Sequence, residues 1–326
     1  MAAISRRGMA ISGRMTGESA GRETRAAAKS AAYSVFGQRI EAPPLASGLH
    51  VVATPIGNLA DVSLRALATL AAADAVLAED TRVSRTLLAH YGVATPLVAY
   101  HEHNGAAARP GIIERLRGGA ALALVSDAGT PLVSDPGYKL VADAIAGGID
   151  IFGVPGASAV MAALTVAGLP TDRFFFEGFL PPKSAARRQR LAELAAIPGT
   201  LVFFESPRRV AETCADIAAV LGPRETAIAR ELTKHFESVR RGTAAELAAA
   251  LAGEEPPKGE IVLLVGPPAG DGALIEAGDC LDARIRAALA KHSVKDAASV
   301  VSAESGQPRR LVYARAIEIA AADRES

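Results

Sequence analysis

From residue 49 onward, short apolar runs alternate with segments of helical period, and this regular alternation is what most constrains the fold. Residues 49–53 read as a strand ending at Thr54-Pro55. Asp61 or Ser63 can cap a helix running to about Ala72, 75–78 reads as a second strand, and 81–90 as a helix that Gly92 ends. The pattern repeats through a strand at 97–100, a helix opened near Asn104 and stopped by Gly118-Gly119, a strand at 121–125, a helix at 137–146 and a strand at 151–154. Strand and helix in strict succession predict a mostly parallel sheet with helices on its faces.

After Val154-Pro155-Gly156 a second block begins, with a helix at about 157–167, strands at 174–176, 201–204, 226–229 and 261–265, and Ala-rich helices near 185–196 and 208–220. Several connections here are short, which favours antiparallel pairing. Beyond Gly266-Pro267-Pro268, helical segments near 280–291, 294–304 and 308–321 form a small appendage of helix-turn-helix shape. The expected division is a disordered extension over 1–46, α/β units over 47–155 and 156–268, and a helical unit over 278–322. Residues 1–46 are rich in Ala, Ser and Gly and show no periodic apolar face.

The chain is half hydrophobic and 21% charged, which excludes an intrinsically disordered protein, and no apolar run reaches the length of a membrane span. Cys214 and Cys280 lack metal-ligand spacing and read as reduced structural thiols of a cytoplasmic protein. Lys+Arg and Asp+Glu both number 35, and only 4% of residues are aromatic, which at first sight describes an enzyme of small molecules. Counted by segment, the picture shifts. Residues 1–46 hold 7 basic and 3 acidic residues, 47–265 hold 20 and 23, and 266–326 hold 8 and 9. The body is slightly acidic, with its positive charge gathered in clusters.

In open parallel sheets, ligands bind at the carboxyl ends of strands. The loops there are Thr54-Pro55-Ile56-Gly57-Asn58, Glu79-Asp80-Thr81-Arg82 and the stretch from Ser126 to Gly137, in which Ser-Asp-x-Gly occurs twice. Glycine lets a ligand approach the backbone, the prolines stiffen these loops, and Asp127 can accept from an amine or a ribose hydroxyl. Ser-Asp-x-Gly also caps ordinary turns. Neither G-x-G-x-x-G after the first strand nor G-x-x-x-x-G-K-[ST] occurs, which argues against a nicotinamide dehydrogenase and a P-loop ATPase.

These loops, with Pro155-Gly156-Ala157-Ser158-Ala159, Phe204-Glu205-Ser206-Pro207-Arg208-Arg209, Glu231-Leu232-Thr233-Lys234 and Lys258-Gly259-Glu260, occur in the order seen in the ribosomal RNA small-subunit methyltransferase I family, of the tetrapyrrole methylase superfamily. The chain resembles that family over about residues 48–268, and its tail resembles the family's helical domain. The resemblance implies two α/β domains with S-adenosylmethionine between them, a small helical C-terminal domain, and methyl transfer to the 2′-hydroxyl of a cytidine in 16S ribosomal RNA. It further implies a homodimer, and the chain is expected to be cytoplasmic with no membrane association. Carried over by position, it puts Pro55 and Gly57 on the substrate side of the cleft. It puts Asp127, Ala128, Gly129, Thr130, Ser158 and Ala159 on the donor, with Phe204, Lys258 and Gly259 covering the adenosine.

Methyl transfer from a sulfonium to an alcohol needs no metal; it needs alignment and one base. The candidate catalytic groups are Glu79, Asp80, Glu231 and Lys234, although Asp80 beside Arg82 also reads as an ion pair. His101 and His103 flank Glu102 without a third ligand, so Tyr100 and His101 are expected to line the cleft. RNA requires cations, and those expected to meet it are Arg82, Arg85, Lys183, Arg187, Arg188, Arg190, Arg208 and Arg209. Arg230, Arg240 and Arg241 cluster near the Glu-Leu-Thr-Lys motif, and Lys291, Lys295, Arg309 and Arg310 offer a further contact from the tail. Two other functions fit the same residues: a methylase of a tetrapyrrole or other small acceptor, and a non-catalytic RNA-binding assembly factor.

Overall fold

The computed structural model describes residues 31–133, 137–268, 282–305 and 309–325. It opens with a hairpin, β1 (Ala32–Val35) and β2 (Gln38–Glu41), paired antiparallel. The expected disorder over 1–46 is therefore wrong for the part described; residues 1–30 lie outside the described residues. The hairpin is held by Tyr33, buried at 7% exposure among Leu67, Leu70 and Leu87, and by the Ser34 N–H donating to Tyr91 O at 2.7 Å. Its two-residue turn, Phe36-Gly37, takes φ of 52° and 77°, the doubly positive geometry that matches strand twist. Phenylalanine is not a usual residue for that turn, so the sequence carries only half the signal.

The first sheet contains β3 (Gly48–Val52), β4 (Ala75–Ala78), β5 (Leu97–Ala99), β6 (Ala121–Val125) and β7 (Ile151–Val154). Their order is β5-β4-β6-β3-β7, with every neighbouring pair parallel. The crossovers are α1 (Leu64–Ala72), α2 (Thr81–His90), α3 (Glu102–Arg117) and α4 (Tyr138–Ala146). Ser63 caps α1, its side chain accepting from Ala66 N–H, and His101 with Asn104 closes a reciprocal cap on α3. The sheet is buried on both faces, against α1 and α2 on one side and α3 and α4 on the other. That is why its strands are continuous apolar runs and easily seen in the sequence.

The second half begins with α5 (Ala159–Ala167), capped by Ser158. Its sheet has the order β11-β10-β12-β9-β8. The strands are β8 (Phe174–Phe179), β9 (Thr200–Glu205), β10 (Glu225–Arg230), β11 (Ser238–Thr243) and β12 (Ile261–Val265), all antiparallel except β8 beside β9. The exception follows from the helix α6 (Ser184–Leu194), which carries the chain back from β8 to start β9 in the same direction. Helices α6, α7 (Val210–Leu221) and α8 (Ala244–Ala252) cover one face, and α5 covers the other. Strand β11 and helix α8 escape sequence reading. β11 is a polar edge strand with adjacent arginines, and α8 is alanine and leucine apart from Glu246.

Cys214 on α7 is buried in this core, where burial pushes its thiol up to about 12; Cys280 lies outside the described residues. The tail consists of α9 (residues 282–289), α10 (Val294–Ser305) and α11 (Arg309–Glu325), packed around Ile285, Ala298, Val301, Val312 and Ile319. No helix among the described residues is long and apolar enough to cross a membrane. Because Tyr33 fastens the hairpin to the first sheet, Tyr33→Ala should destabilise the protein by about 3 kcal/mol. Urea unfolding checks this, and a change below about 1 kcal/mol would mean the hairpin contributes little.

Candidate active site

The loops after β3 and β6 are laced together. Thr54 and Gly129 exchange backbone hydrogen bonds of 2.9 and 3.1 Å, and Thr54 Oγ1 donates to Ser126 O at 3.3 Å. Thr130 Oγ1 donates to Ala157 O at 3.2 Å, tying the β6 loop to the start of α5. Gly129 sits at φ +79°, and a Cβ there would press to 3.2 Å on Ile56. Asp127 turns the other way: its Oδ1 accepts the Asp80 N–H at 2.9 Å. Of the second Ser-Asp-x-Gly copy, Ser134, Asp135 and Pro136 lie outside the described residues.

Between the two sheets lies a cleft of about 360 Å³. Ile56, the Ala128–Thr130 loop and the first turn of α5 at Ser158 and Ala159 form one wall. Phe204 and Glu205 from β9, Leu232 from the β10–β11 turn, and Gly259 and Val262 at the start of β12 form the other. Phe204 is braced edge-on by Phe176 and Phe179, with centroids 4.9 and 5.7 Å away. The Glu205 carboxylate, buried, accepts from Ser206 N–H, Thr213 Oγ1 and Arg209 at 2.6, 2.6 and 3.1 Å and so fixes the turn at the rim.

Expected donor residues are not all in this cleft. Ala128, Gly129, Thr130, Ser158, Ala159, Phe204 and Gly259 line it. Pro55, Gly57 and Asp127 line an adjoining cavity of about 350 Å³, which shares Ile56, Ala128 and Glu260 with it. The Lys258 side chain is exposed and its carbonyl accepts from Arg230 Nε at 2.6 Å. Tyr100, with Glu79, lines a third cavity at the ends of β4 and β5. Sequence reading passed over Ile56, Glu205, Leu232 and Glu260. Ile56 alone carries a signal, as the one apolar side chain inside a polar Pro-Gly loop.

The Glu-Leu-Thr-Lys turn supplies the electrostatics. Lys234 Nζ lies 2.8 Å from Glu231 Oε1 and 2.7 Å from Glu260 Oε2, and its aliphatic stem crosses Gly57 so closely that a Cβ there would collide with it. A Cβ on Gly259, at φ +98°, would likewise collide with Glu231. The Lys234 hydrogen bond lowers the Glu231 pKa against the effect of burial. Burial pulls Lys234 down, but its two carboxylate partners prevail and raise it. Asp80 caps α2 and holds Arg82 with bonds of 2.6–3.1 Å; Arg82 draws its pKa down to about 2. Asp80, Glu231 and Lys234 are thus charged and paired, whereas a general base works best poised near the operating pH.

Arg187 is not available to RNA. It is 1% exposed, with Nη2 2.6 Å from Asp216, which also takes Arg188 Nε at 2.5 Å and the Ser184 hydroxyl at 3.0 Å. Burial raises the Asp216 pKa, but the three donors outweigh it and the net shift is downward. Arg190 is paired with Glu177 and Glu193, and Arg209 with Glu205 and the carbonyls of Leu180 and Pro181. Arg85, Lys183 and Arg208 are exposed, and Arg82 is exposed but bound to Asp80.

Solved structures share this architecture. A cobalt precorrin-4 methyltransferase matches at 20% identity and TM-score 0.51, covering 67% of this chain and 94% of that one. A conserved hypothetical protein of Aeropyrum pernix K1 matches at 17% identity and TM-score 0.54, covering 84% and 96%. The family model for Tetrapyrrole (Corrin/Porphyrin) Methylases matches residues 48–248, so the two-sheet body is of tetrapyrrole methylase class. The model for the RsmI C-terminal HTH domain matches residues 276–320. Proteins named ribosomal RNA small subunit methyltransferase I are 52% identical in Mesorhizobium japonicum, over 86% of this chain and 95% of the relative. In Xylella fastidiosa the identity is 50% over 81% and 97%, and in Pseudomonas aeruginosa 47% over 84% and 98%. The chain belongs to the ribosomal RNA small subunit methyltransferase I family.

Two outcomes follow from this geometry. Gly57→Ala and Gly259→Ala should each lower stability by about 2 kcal/mol or more in urea unfolding. Gly111→Ala on α3, where a Cβ meets nothing, should instead be neutral or stabilising by about 0.5–1 kcal/mol. Equal effects at all three would contradict a close seam. Because the Asp80 pKa is depressed, its contribution to stability is present above the ordinary value of 3.8 and is lost as pH falls toward about 2. Asp80→Asn should therefore flatten the acid side of the stability profile between pH 4 and 2, measured by thermal melts, and leave the neutral side parallel to wild type.

Proposed function

We propose that this chain transfers the methyl group of S-adenosylmethionine to the ribose 2′-hydroxyl of a cytidine in 16S ribosomal RNA of the small subunit. The observation that carries the reading is the cleft itself. It is formed by loops of both sheets, and its walls are the motifs that gave the resemblance, brought together from positions as distant as Ile56 and Gly259.

The cleft suits the donor. Its size lies in the range of small-ligand pockets, about 300–1,000 Å³. Phe204, Leu232 and Val262 offer an apolar bed for a purine. The first-turn N–H groups of α5, at Ala159 and Val160, have no acceptor within their own helix and favour a carboxylate. Gly129 and Gly259 keep the walls free of side chains where a ligand backbone or sugar would lie. When bound, the donor supplies an electrophilic methyl on a sulfonium. The residues of the chain orient it, exclude water, and hold the acceptor in line, the source of most of the acceleration in such a displacement. Glu231 and Lys234 serve as positioning groups through the ion pairs they form with each other and with Glu260. Asp80 holds the start of α2 through Arg82 and reaches the β6 loop through Asp127. The proton of the 2′-hydroxyl leaves to solvent at the open mouth of the cleft as the methyl is transferred.

RNA would be met by the exposed Arg85, Lys183 and Arg208, together with Lys291, Lys295, Arg309 and Arg310, which are exposed on the helical tail. With so few aromatic residues, phosphate contacts and shape would dominate over stacking. Pairing of two copies belongs to the same proposal and is checked by sedimentation. Incubating the protein with small subunits from a strain lacking it, and with methyl-labelled S-adenosylmethionine, should put label into 2′-O-methylcytidine of 16S RNA. Transfer should weaken steeply between 50 and 200 mM salt, by a factor of about 10³–10⁵ for a protein making 6–10 phosphate contacts and less for fewer. Label on a base, or none at all, would contradict the proposal; salt-insensitive labelling of a small acceptor would favour a tetrapyrrole-type methylase.

A further inference from the structure

We infer that the cavity at the carboxyl ends of β4 and β5 receives the nucleobase of the acceptor and reads its hydrogen-bonding edge; this rests on the function proposed above. The cavity has a volume of about 440 Å³. Glu79, Tyr100, Glu102, Arg109, Tyr138 and Lys139 define its chemistry. It lies beside the donor cleft along one sheet edge. The donor loops leave β3 and β6, the cavity is over β4 and β5, and β4 and β6 are neighbours in the order β5-β4-β6-β3-β7. With strands about 4.8 Å apart, the two are separated by one or two strand spacings, roughly the reach from a ribose hydroxyl to the far edge of its own pyrimidine. A physical link joins them, because Asp80, which follows Glu79, donates its N–H to Asp127 at 2.9 Å.

The side chains select the ligand class. Arg109 is held by Asp143 at 2.9 Å, so a phosphate drawn in by Arg109 and Lys139 would face the carboxylates of Asp143, Glu79 and Glu102, and an apolar ligand would cover this polar lining without pairing any of it. A nucleobase presents donors and acceptors together and satisfies such a mixed set. Tyr138, exposed at the rim, offers a ring face for stacking, and Tyr100, 3% exposed, forms the floor. Burial raises the Tyr100 pKa, so its hydroxyl keeps its proton at neutral pH. Gly105 on α3 leaves the floor open; a Cβ there would stand 3.5 Å from the Tyr100 hydroxyl, filling the space without a clash. For a cytosine, Glu79 would accept from the exocyclic amine and the cations would donate to the carbonyl. For a uracil, the Glu79 carboxylate would meet a carbonyl oxygen instead. Glu79 thereby becomes a specificity-determining residue rather than the proton acceptor.

The test uses the full-length protein on reconstituted small subunits carrying either cytidine or uridine at the target position. Wild type should prefer cytidine in kcat/KM, and Glu79→Gln should narrow that preference by about tenfold or more. Gly105→Ala, which fills the floor while favouring the helix, and Tyr138→Ala should each raise KM for the subunit by about fivefold. All three variants should bind S-adenosylhomocysteine within about twofold of wild type in titration calorimetry, since none touches the donor cleft. An equal loss of kcat on both subunits in Glu79→Gln, an unchanged preference, or weakened S-adenosylhomocysteine binding would overturn the cavity's role. Absence of transfer by the wild-type protein to either subunit would overturn the proposed function, and with it the inference.

Discussion

Ile56 leaves the loop of one sheet and is buried in the core of the other. It is 7% exposed, packed with Val160, Leu164, Val202, Ala227, Leu232 and Leu264. Beside it the Lys234 stem lies across Gly57, with its ammonium held by Glu231 and Glu260. These two contacts, one apolar and one ionic, fix the Thr54–Asn58 loop against the second sheet, and the cleft takes its shape from them. The ionic contact demands unusual backbone: Glu231 and Thr233 stand at φ +50° and +66°, conformations that cost about 1–3 kcal/mol each. Reciprocal bonds offset this strain, because Glu231 N–H donates to Glu260 O while Glu260 N–H donates to Glu231 Oε1, both at 2.9 Å. Strain held in place by a dense network is a mark of a working site rather than of idle surface.

The charge ledger of the chain has a different meaning in three dimensions. Many cations of the second half are consumed internally: Arg187 by Asp216, Arg190 by Glu177, Arg209 by Glu205 and Arg240 by Glu254. In the tail, Arg315 is held by Asp282 and Glu318. Overall neutrality therefore describes a molecule whose ion pairs organise loops and helices, with a smaller set of outward cations left for a polyanion. The pairs at the sheet edge also explain why several carboxylates there are poor proton acceptors. They are held charged so that they can position what surrounds them.

Much of the fold was legible because parallel strands buried on both faces are apolar throughout, and the central runs at β4 and β6 show it. The hairpin was not, since its strands are four residues long and its turn places Phe36 where asparagine or glycine is usual. Strand β11 was hidden by the polarity that suits an edge. At the site, the motif loops were legible by their glycines and prolines, but which face a side chain takes was not. Arg187 is the instructive case: with Leu191 and Leu194 it follows the i, i+4, i+7 spacing of a buried helix face, yet its charge suggested the surface. Tyr100 sits two strands from the β6 loop that lines the cleft, a separation that only the order of strands reveals.

The central claim is that the seam built on Ile56 and Lys234 shapes the cleft between the sheets in which the donor is proposed to bind. A crystal structure of the protein with S-adenosylhomocysteine tests it most directly. The account predicts the ligand between the Ala128–Thr130 loop and Gly259, with its adenine against Phe204 and its carboxylate at the first turn of α5. Density instead in the Glu79 and Tyr100 cavity, or on the surface away from both sheets, would contradict it.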